Sequence, residues 1–139
     1  MSETAQLTLA DPVVTIGVRH TIAAYTRALD SGRLDELIGL FAPEGRSALP
    51  QMEPAVGHTA LRALYAPLMA DHPQRHVVVD TVVTRRDDGR ALATSTLLWV
   101  NSRDHAWIIE LVGTYEDVLV QTDSEQWVFE ERALSFDTP

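Results

Sequence analysis

The sequence has no cysteine, no long apolar run and no excess of basic residues, and each absence excludes a class of protein. Without cysteine there is no disulfide framework, no thiolate nucleophile and no cysteine-type zinc site. No apolar run approaches the roughly 18 residues that a membrane-spanning helix needs, so no membrane partner is expected. The formal net charge of −9 argues against a nucleic-acid partner, because phosphate binding requires a concentrated basic surface.

What the sequence does contain is enough apolar material for one globular core. A chain of 139 residues, 45% of them hydrophobic, can fold without metal or disulfide staples. No repeat, low-complexity tract or linker divides it, so we predict a single domain over residues 1–139, with residues 1–10 as a loosely ordered polar tail. The first residues also lack the basic and apolar segments of a signal peptide, and we expect a cytoplasmic protein.

The N-terminal half has the hydrophobic period of helices. Asp11 as N-cap and Pro12 at the first helical position begin a helix over residues 12–30, which Gly32 ends. Its apolar stripe recurs at helical spacing through Val14, Val18, Ile22, Tyr25 and Leu29.

Two further helices are predicted after this one. Leu34, Leu37, Ile38 and Phe41 mark a second helix that ends at Pro43-Glu-Gly45. Residues 46–56 carry two prolines and predict a short edge strand plus loop. Residues 57–69 form a third helix, kinked at Pro67, with Leu61, Leu64, Tyr65 and Leu68 facing inward.

After residue 74 the hydrophobic period changes to that of strands. Val- and Thr-rich segments separated by turn residues predict four strands, over residues 76–85, 90–101, 105–121 and 126–135. Three helices followed by an antiparallel meander make an α+β domain. A strongly curved sheet wrapped against the helices would enclose an interior pocket.

Several segments together resemble the SnoaL-like branch of the nuclear transport factor 2-like superfamily. They are Tyr25 through the Leu-Asp30-Ser-Gly turn to Phe41-Ala-Pro-Glu-Gly, Gly57-His-Thr-Ala-Leu-Arg, Arg75-His76-Val-Val-Val-Asp80, and Gly113-Thr-Tyr-Glu-Asp117 with Trp127. The resemblance implies a cone-shaped fold, with the helices in the concavity of a curved, mostly antiparallel sheet. The SnoaL-like branch is similar to polyketide cyclases, scytalone dehydratase and ketosteroid isomerase. This implies cofactor-independent proton transfer, with no metal, on a small, apolar, oxygenated molecule.

The resemblance also implies a catalytic set of Asp30, His76 and Tyr25. Asp30 matches an aspartate at the end of the first helix, and His76 matches a histidine that acts as general acid/base in the dehydratase. A carboxylate that fixes one imidazole nitrogen leaves the other for substrate. Alternatively, Asp30 caps the turn at Ser31-Gly32 and His76 is an interior polar group with its hydrogen bonds satisfied. Tyr25 is either an oxyanion donor or a core tyrosine.

A second set of side chains is expected to contact substrate: Tyr65, Asp80, Trp99, Tyr115 and Asp117. Strand alternation places Asp80 on the face of His76, and places Tyr115 and Asp117 together on another strand. The alternatives are a solvated Asp80 at the mouth of the cone, and tryptophans (Trp99 and also Trp107) that serve as core or dimer interface.

The sequence leaves three functions open. The first is a cyclase, dehydratase or isomerase acting on a polyketide- or terpenoid-like substrate. The second is a non-catalytic binding or dimerisation domain of the same fold. The third is the small structural subunit of a ring-hydroxylating dioxygenase, which a stable homodimer would disfavour. The sequence departs from the family pattern at two places. The catalytic aspartate of the isomerase should lie near Leu49, which is apolar here, and the second pocket histidine of the dehydratase should fall near Trp99–Asn101, where none is present.

Overall fold

The computed structural model describes residues 8–139, which form an α+β domain as predicted. The helices are α1 (Pro12–Asp30), α2 (Leu34–Ile38) and α3 (His58–Tyr65), the last continued by a 3-10 turn, Ala66–Leu68. The strands are β1 (Phe41–Ala48), β2 (Ala55–Val56), β3 (Gln74–Arg85), β4 (Ala91–Arg103), β5 (Ala106–Gln121) and β6 (Trp127–Phe136). The prediction that residues 1–7 belong to a loose tail lies outside the described residues.

The strands form one sheet in the order β2-β1-β6-β5-β4-β3. Strands β3 to β6 make the expected antiparallel meander, while β1 pairs in parallel with β6 and antiparallel with β2. The helices cover one face of this sheet, and the core lies between them. Beyond the four-stranded meander the sheet has two strands, β1 and β2, where the sequence predicts one short edge strand within residues 46–56.

Helix α1 forms where the sequence predicts it because both of its ends carry local signals. The Asp11 side chain accepts a hydrogen bond from the Val14 backbone N–H at 3.0 Å, and the Ser31 N–H closes the last turn on Arg27. Its buried face is the predicted stripe with Thr21 and Ala28 added. That face packs on the sheet, so the helix delivers Tyr25 to the core and Asp30 to the start of β3.

The predicted end of the second helix is wrong. Helix α2 ends at Ile38, and Phe41 begins β1, because the Leu40 carbonyl accepts a hydrogen bond from the Phe129 N–H at 2.8 Å. The Phe41 side chain is buried in either arrangement, so apolar spacing could not separate helix from strand. Strand β1 is also not the sheet edge, since β2 lies outside it. Its pairing is irregular between Phe41 and Arg46, where Pro43 needs no partner.

A bulge in β3 changes which residues face the helices. The pairing with β4 shifts between Val79 and Val82, and Asp80 takes a positive φ of 56° there. His76 therefore faces inward, but Asp80 is turned outward and exposed. The prediction that His76 and Asp80 share a face is wrong because strict alternation holds only in an unbulged strand.

Two glycines provide a test of the packing between α1 and the sheet. A Cβ at Gly17 would lie 2.7 Å from Cδ1 of Trp127, whereas a Cβ at Gly39 would meet nothing closer than 3.5 Å. We expect Gly17→Ala to lower the free energy of unfolding by about 1–3 kcal/mol, because the buried indole must move. Gly39→Ala, at a helical φ of −63°, should leave it unchanged or raise it by up to about 1 kcal/mol.

Urea denaturation of the two variants and the parent chain measures this difference. Equal stability of Gly17→Ala and Gly39→Ala would contradict the close approach of Trp127 to α1.

Candidate active site

A cavity of about 220 Å³ opens between α1, the end of α3 and the inner face of the sheet. Its walls are mainly apolar, with Leu29, Leu49, Leu97, Leu111, Leu134 and Phe136 among them. Its polar groups come from Tyr25, Tyr65, Gln74, His76, Trp99 and Tyr115. An apolar cavity with a few convergent polar groups is the usual form of a small-molecule site.

Asp30 and His76 form a two-point contact at this cavity. The His76 backbone N–H donates to Oδ2 of Asp30 at 2.8 Å, and Nδ1 of the ring lies 2.6 Å from Oδ1. An ionised carboxylate only accepts hydrogen bonds, so Nδ1 carries the proton. Both side chains are nearly buried, at 9% and 13% exposed. The contact expected from the sequence is present, and Asp30 does not serve merely as a cap of the turn.

The ring of His76 is held from a second side by Trp99. The two rings stack with centroids 6.3 Å apart and an interplanar angle of 28°. Within residues 8–139, Nδ1 is the atom of the His76 ring that has a hydrogen-bond partner, which leaves Nε2 as the ring nitrogen available at the cavity. That nitrogen can take or give a proton while the carboxylate keeps the ring in one orientation.

A second polar group at the cavity is a chain of hydroxyls. The Tyr25 hydroxyl donates to the Tyr65 hydroxyl at 2.8 Å, and the Tyr65 and Ser47 hydroxyls lie 2.7 Å apart. Tyr115 packs edge-to-face against Tyr25, with centroids 6.3 Å apart. Ser47 was not expected from the sequence, because it lies in a segment that reads as edge strand and loop.

Burial keeps these phenols protonated. It raises the pKa of Tyr25 and of Tyr65, and it raises the pKa of Tyr115 to about 12. The three hydroxyls are therefore neutral at neutral pH. Tyr25 already donates its proton to Tyr65, so Tyr65 and Tyr115 are the phenols that can donate to a bound molecule. They suit a substrate oxygen that gains negative charge.

Gln74 is a cavity residue that the sequence reasoning missed. The Trp99 Nε1–H donates to Gln74 Oε1 at 3.1 Å, and because an indole only donates, this bond fixes which end of the amide is oxygen. The buried Nε2 has no partner among the described residues. Gln74 lies two residues before His76 on β3, and this spacing is the sequence signal that could have placed it on the same face.

Asp117 does not contact the cavity, and its predicted role as a substrate ligand is wrong. It lies behind the tyrosines, 3% exposed, with Oδ1 3.3 Å from Nε of the fully buried Arg132, which is its cross-strand partner. Burial raises the pKa of the Asp117 carboxyl to about 6, although the Arg132 guanidinium lowers it. Arg132 lies two residues before the inward-facing Leu134 on β6, and this spacing is the sequence signal that the Arg132 side chain faces inward.

Two other predicted residues lie away from the cavity. Asp80 is exposed at the bulge in β3, and Trp107 is 55% exposed on the opposite face of the sheet. Of the predicted set, the structure brings Tyr25, Tyr65, His76, Trp99 and Tyr115 to the cavity wall, with Asp30 behind His76. Residues 8–139 contain no cluster of His, Asp and Glu side chains placed to hold a metal ion.

Comparison with known families agrees with this geometry. A model described as a SnoaL-like domain matches residues 17–133. The chain belongs to the SnoaL-like domain family. A comparison with curated protein sequences finds no match. Among the helices of residues 8–139, none is long and apolar enough to span a membrane.

Solved structures similar to this SnoaL-like domain share its fold at low sequence identity. Aln2 from a Streptomyces species is 18% identical with a TM-score of 0.84, covering 94% of this chain and 95% of its own. ActVI-ORFA from Streptomyces coelicolor is 20% identical with a TM-score of 0.79, covering 90% and 98%. A scytalone dehydratase-like protein from Novosphingobium aromaticivorans is 21% identical with a TM-score of 0.78, covering 91% and 85%.

The raised pKa of Asp117 predicts that stability falls as the pH rises. The carboxyl titrates at about 6 in the folded chain and near its ordinary value of 3.8 when unfolded. Because the folded state binds the proton more tightly, this contribution to the free energy of unfolding is complete below about pH 4. It is lost as the pH rises through about 6, and its size is on the order of 3 kcal/mol.

Urea unfolding of the parent chain between about pH 4 and pH 8 measures this loss. The control is the double variant Asp117→Leu with Arg132→Met, which removes the carboxyl without leaving a lone buried charge. The same decline in both proteins would assign the pH dependence to other groups.

Proposed function

We propose that this SnoaL-like domain is a cofactor-independent enzyme that moves protons on a small, largely apolar, oxygenated substrate. The supporting observation is the contact of Asp30 with His76 at the wall of an apolar cavity, with the second ring nitrogen left for substrate. The reaction is cyclisation, dehydration or isomerisation of a polyketide- or terpenoid-like molecule. The name of the similar scytalone dehydratase-like protein from Novosphingobium is compatible with this class, at an identity that establishes fold alone.

In this mechanism Nε2 of His76 removes a proton from a carbon next to a substrate carbonyl. Asp30 holds Nδ1–H and so keeps the ring in the tautomer that presents a lone pair at Nε2. The charge that forms on the imidazole is balanced by the adjacent carboxylate. Returning the proton to another atom, or to a leaving hydroxyl, completes an isomerisation or a dehydration.

The phenols supply the complementary group. Removal of the proton places negative charge on the carbonyl oxygen, and neutral phenol donors in a dry cavity stabilise that charge better than water does. Tyr25 and Tyr65 are linked through their hydroxyls, and Tyr115 packs beside them. The apolar walls exclude water and select an apolar carbon skeleton.

His76→Ala should abolish most of the activity. Removal of a general acid/base lowers kcat by about 10²–10⁴. The measurement is turnover of a panel of β-hydroxy ketones and hydroxylated tetralones by the purified protein without added cofactor, followed by mass spectrometry. Asp80→Asn is the matched control, because it changes a carboxylate on the same strand that is exposed and keeps a residue that tolerates positive φ.

Full turnover by a folded His76→Ala variant would contradict the mechanism. Binding without turnover of any probe by the parent chain would instead support a non-catalytic ligand-binding domain. Asp30→Asn should lower kcat with a smaller change in KM, because Asp30 lies behind the ring and not at the cavity wall.

We also propose that the protein forms a homodimer through the face of the sheet turned away from the helices. Neighbouring strands place apolar side chains together there: Val77, Leu98, Val100, Trp107, Ile109 and Val112. Four of them are exposed, at 37–60%. A second copy related by a two-fold axis would cover each patch with the same patch.

Ile109→Lys should convert the dimer to monomer, because it places a charge in the centre of this patch. Sedimentation velocity measures the association state. Val13→Lys is the matched control, since Val13 is an exposed apolar residue on α1, away from the sheet. A monomeric parent chain, or dissociation by Val13→Lys alone, would contradict the proposed interface.

A further inference from the structure

The buried pair of Arg132 and Asp117 lies directly behind the tyrosines of the cavity. Arg132 is fully buried on β6, and its cross-strand partner Asp117 on β5 is 3% exposed. Neither side chain is among those that line the cavity. Any effect of this pair on a bound molecule must therefore pass through the residues in front of it.

The guanidinium is held between aromatic rings. Its central carbon lies 3.6 Å from the ring centre of Tyr115 and 4.1 Å from that of Tyr25, with Phe129 at 4.7 Å on a further side. Tyr25 and Tyr115 thus contact the cation with one face of each ring, and both residues also line the cavity. A cation this close to two ring faces orients both rings and withdraws electron density from them.

The pair is costly for a purely structural element. In the described part of the chain none of the three guanidinium nitrogens and neither carboxylate oxygen has a hydrogen-bond partner, and Nε lies 3.3 Å from Oδ1. Burying charges costs free energy, and apolar residues of similar volume often replace a buried ion pair without loss of stability. The groups that the buried Arg132 contacts most closely are the rings of Tyr25 and Tyr115, so we look for its role there.

We propose that Arg132 is a positioning residue that orients and polarises the phenols of Tyr25 and Tyr115. Tyr115 donates to a substrate oxyanion directly, and Tyr25 acts through the hydrogen bond that it donates to Tyr65. Asp117 keeps the guanidinium in place and offsets its charge. The cation makes each phenol a stronger donor because the positive charge favours electron withdrawal from the hydroxyl oxygen. The effect is largest for a ligand that carries full negative charge on oxygen, such as an enolate or a phenolate.

This role rests on the proposed function, in which the substrate oxygen binds at the tyrosine hydroxyls. The test measures binding rather than turnover, so the two can fail separately. The probes are pairs of substituted naphthols of closely similar shape, one ionised and one neutral at the working pH. Fluorescence titration gives the ratio of their dissociation constants for each protein.

The parent chain should bind the ionised probe more tightly than the neutral one. In the double variant Asp117→Leu with Arg132→Met that preference should fall about tenfold, while affinity for the neutral probe stays unchanged. Removing both charges together avoids a lone buried charge and keeps the variant folded. A purely structural role would weaken both probes equally.

Tyr115→Phe and Tyr25→Phe provide the second measurement, since each keeps Arg132 and deletes one hydroxyl. At least one of them should lose the preference for the ionised probe. The proposal is overturned if the parent chain shows no preference, or if the preference survives in both phenylalanine variants. It is also overturned if a folded double variant keeps the ratio of the parent chain. Loss of turnover in His76→Ala with the binding preference intact would support the catalytic role of His76 independently of Arg132.

Discussion

The contact of Asp30 with His76 is the constraint on which the candidate site depends. One carboxylate accepts a backbone N–H and a ring N–H from the same residue, and so it joins the last residue of α1 to the start of β3. Because both side chains are almost buried, the contact is shielded from water and is stronger than an exposed pair. It sets the position of the helix end relative to the sheet, and it sets the orientation of the imidazole at the same time.

Helix α1 then determines where the second polar group lies. Tyr25 is on the buried face of the same helix as Asp30, so the packing that brings Asp30 to β3 also places Tyr25 against the sheet. The phenols of α3 and β5 pack around it, and burial keeps all three protonated. A base at one part of the cavity wall and neutral donors at another make an arrangement suited to forming an enolate.

Membership of the SnoaL-like family and similarity to solved structures define the fold but not the reaction. The family match covers residues 17–133, and the similar structures align over about nine-tenths of the chain with 18–21% identity. A fold of this kind hosts several chemistries, so function has to be argued from the side chains at the cavity. Here those side chains include a histidine–carboxylate contact, but an apolar Leu49 where the isomerase would carry its catalytic aspartate.

Sequence by itself determined the elements whose signals are local. The Asp11 cap and the 3.6-residue period placed α1 at its observed bounds, and the change to strand period located β3 to β6 within about two residues. The family pattern pointed to the contact of Asp30 with His76, which the structure contains.

Tertiary structure decided whatever depends on partners distant in the chain. Pairing with β6 turned Phe41 from the end of a helix into the start of a strand, and the bulge in β3 turned Asp80 outward. The cross-strand pairing with Arg132 withdrew Asp117 behind the tyrosines. The physical reason is the same in each case: hydrophobic period reports whether a side chain is buried, whereas strand register and bulges decide what it is buried against.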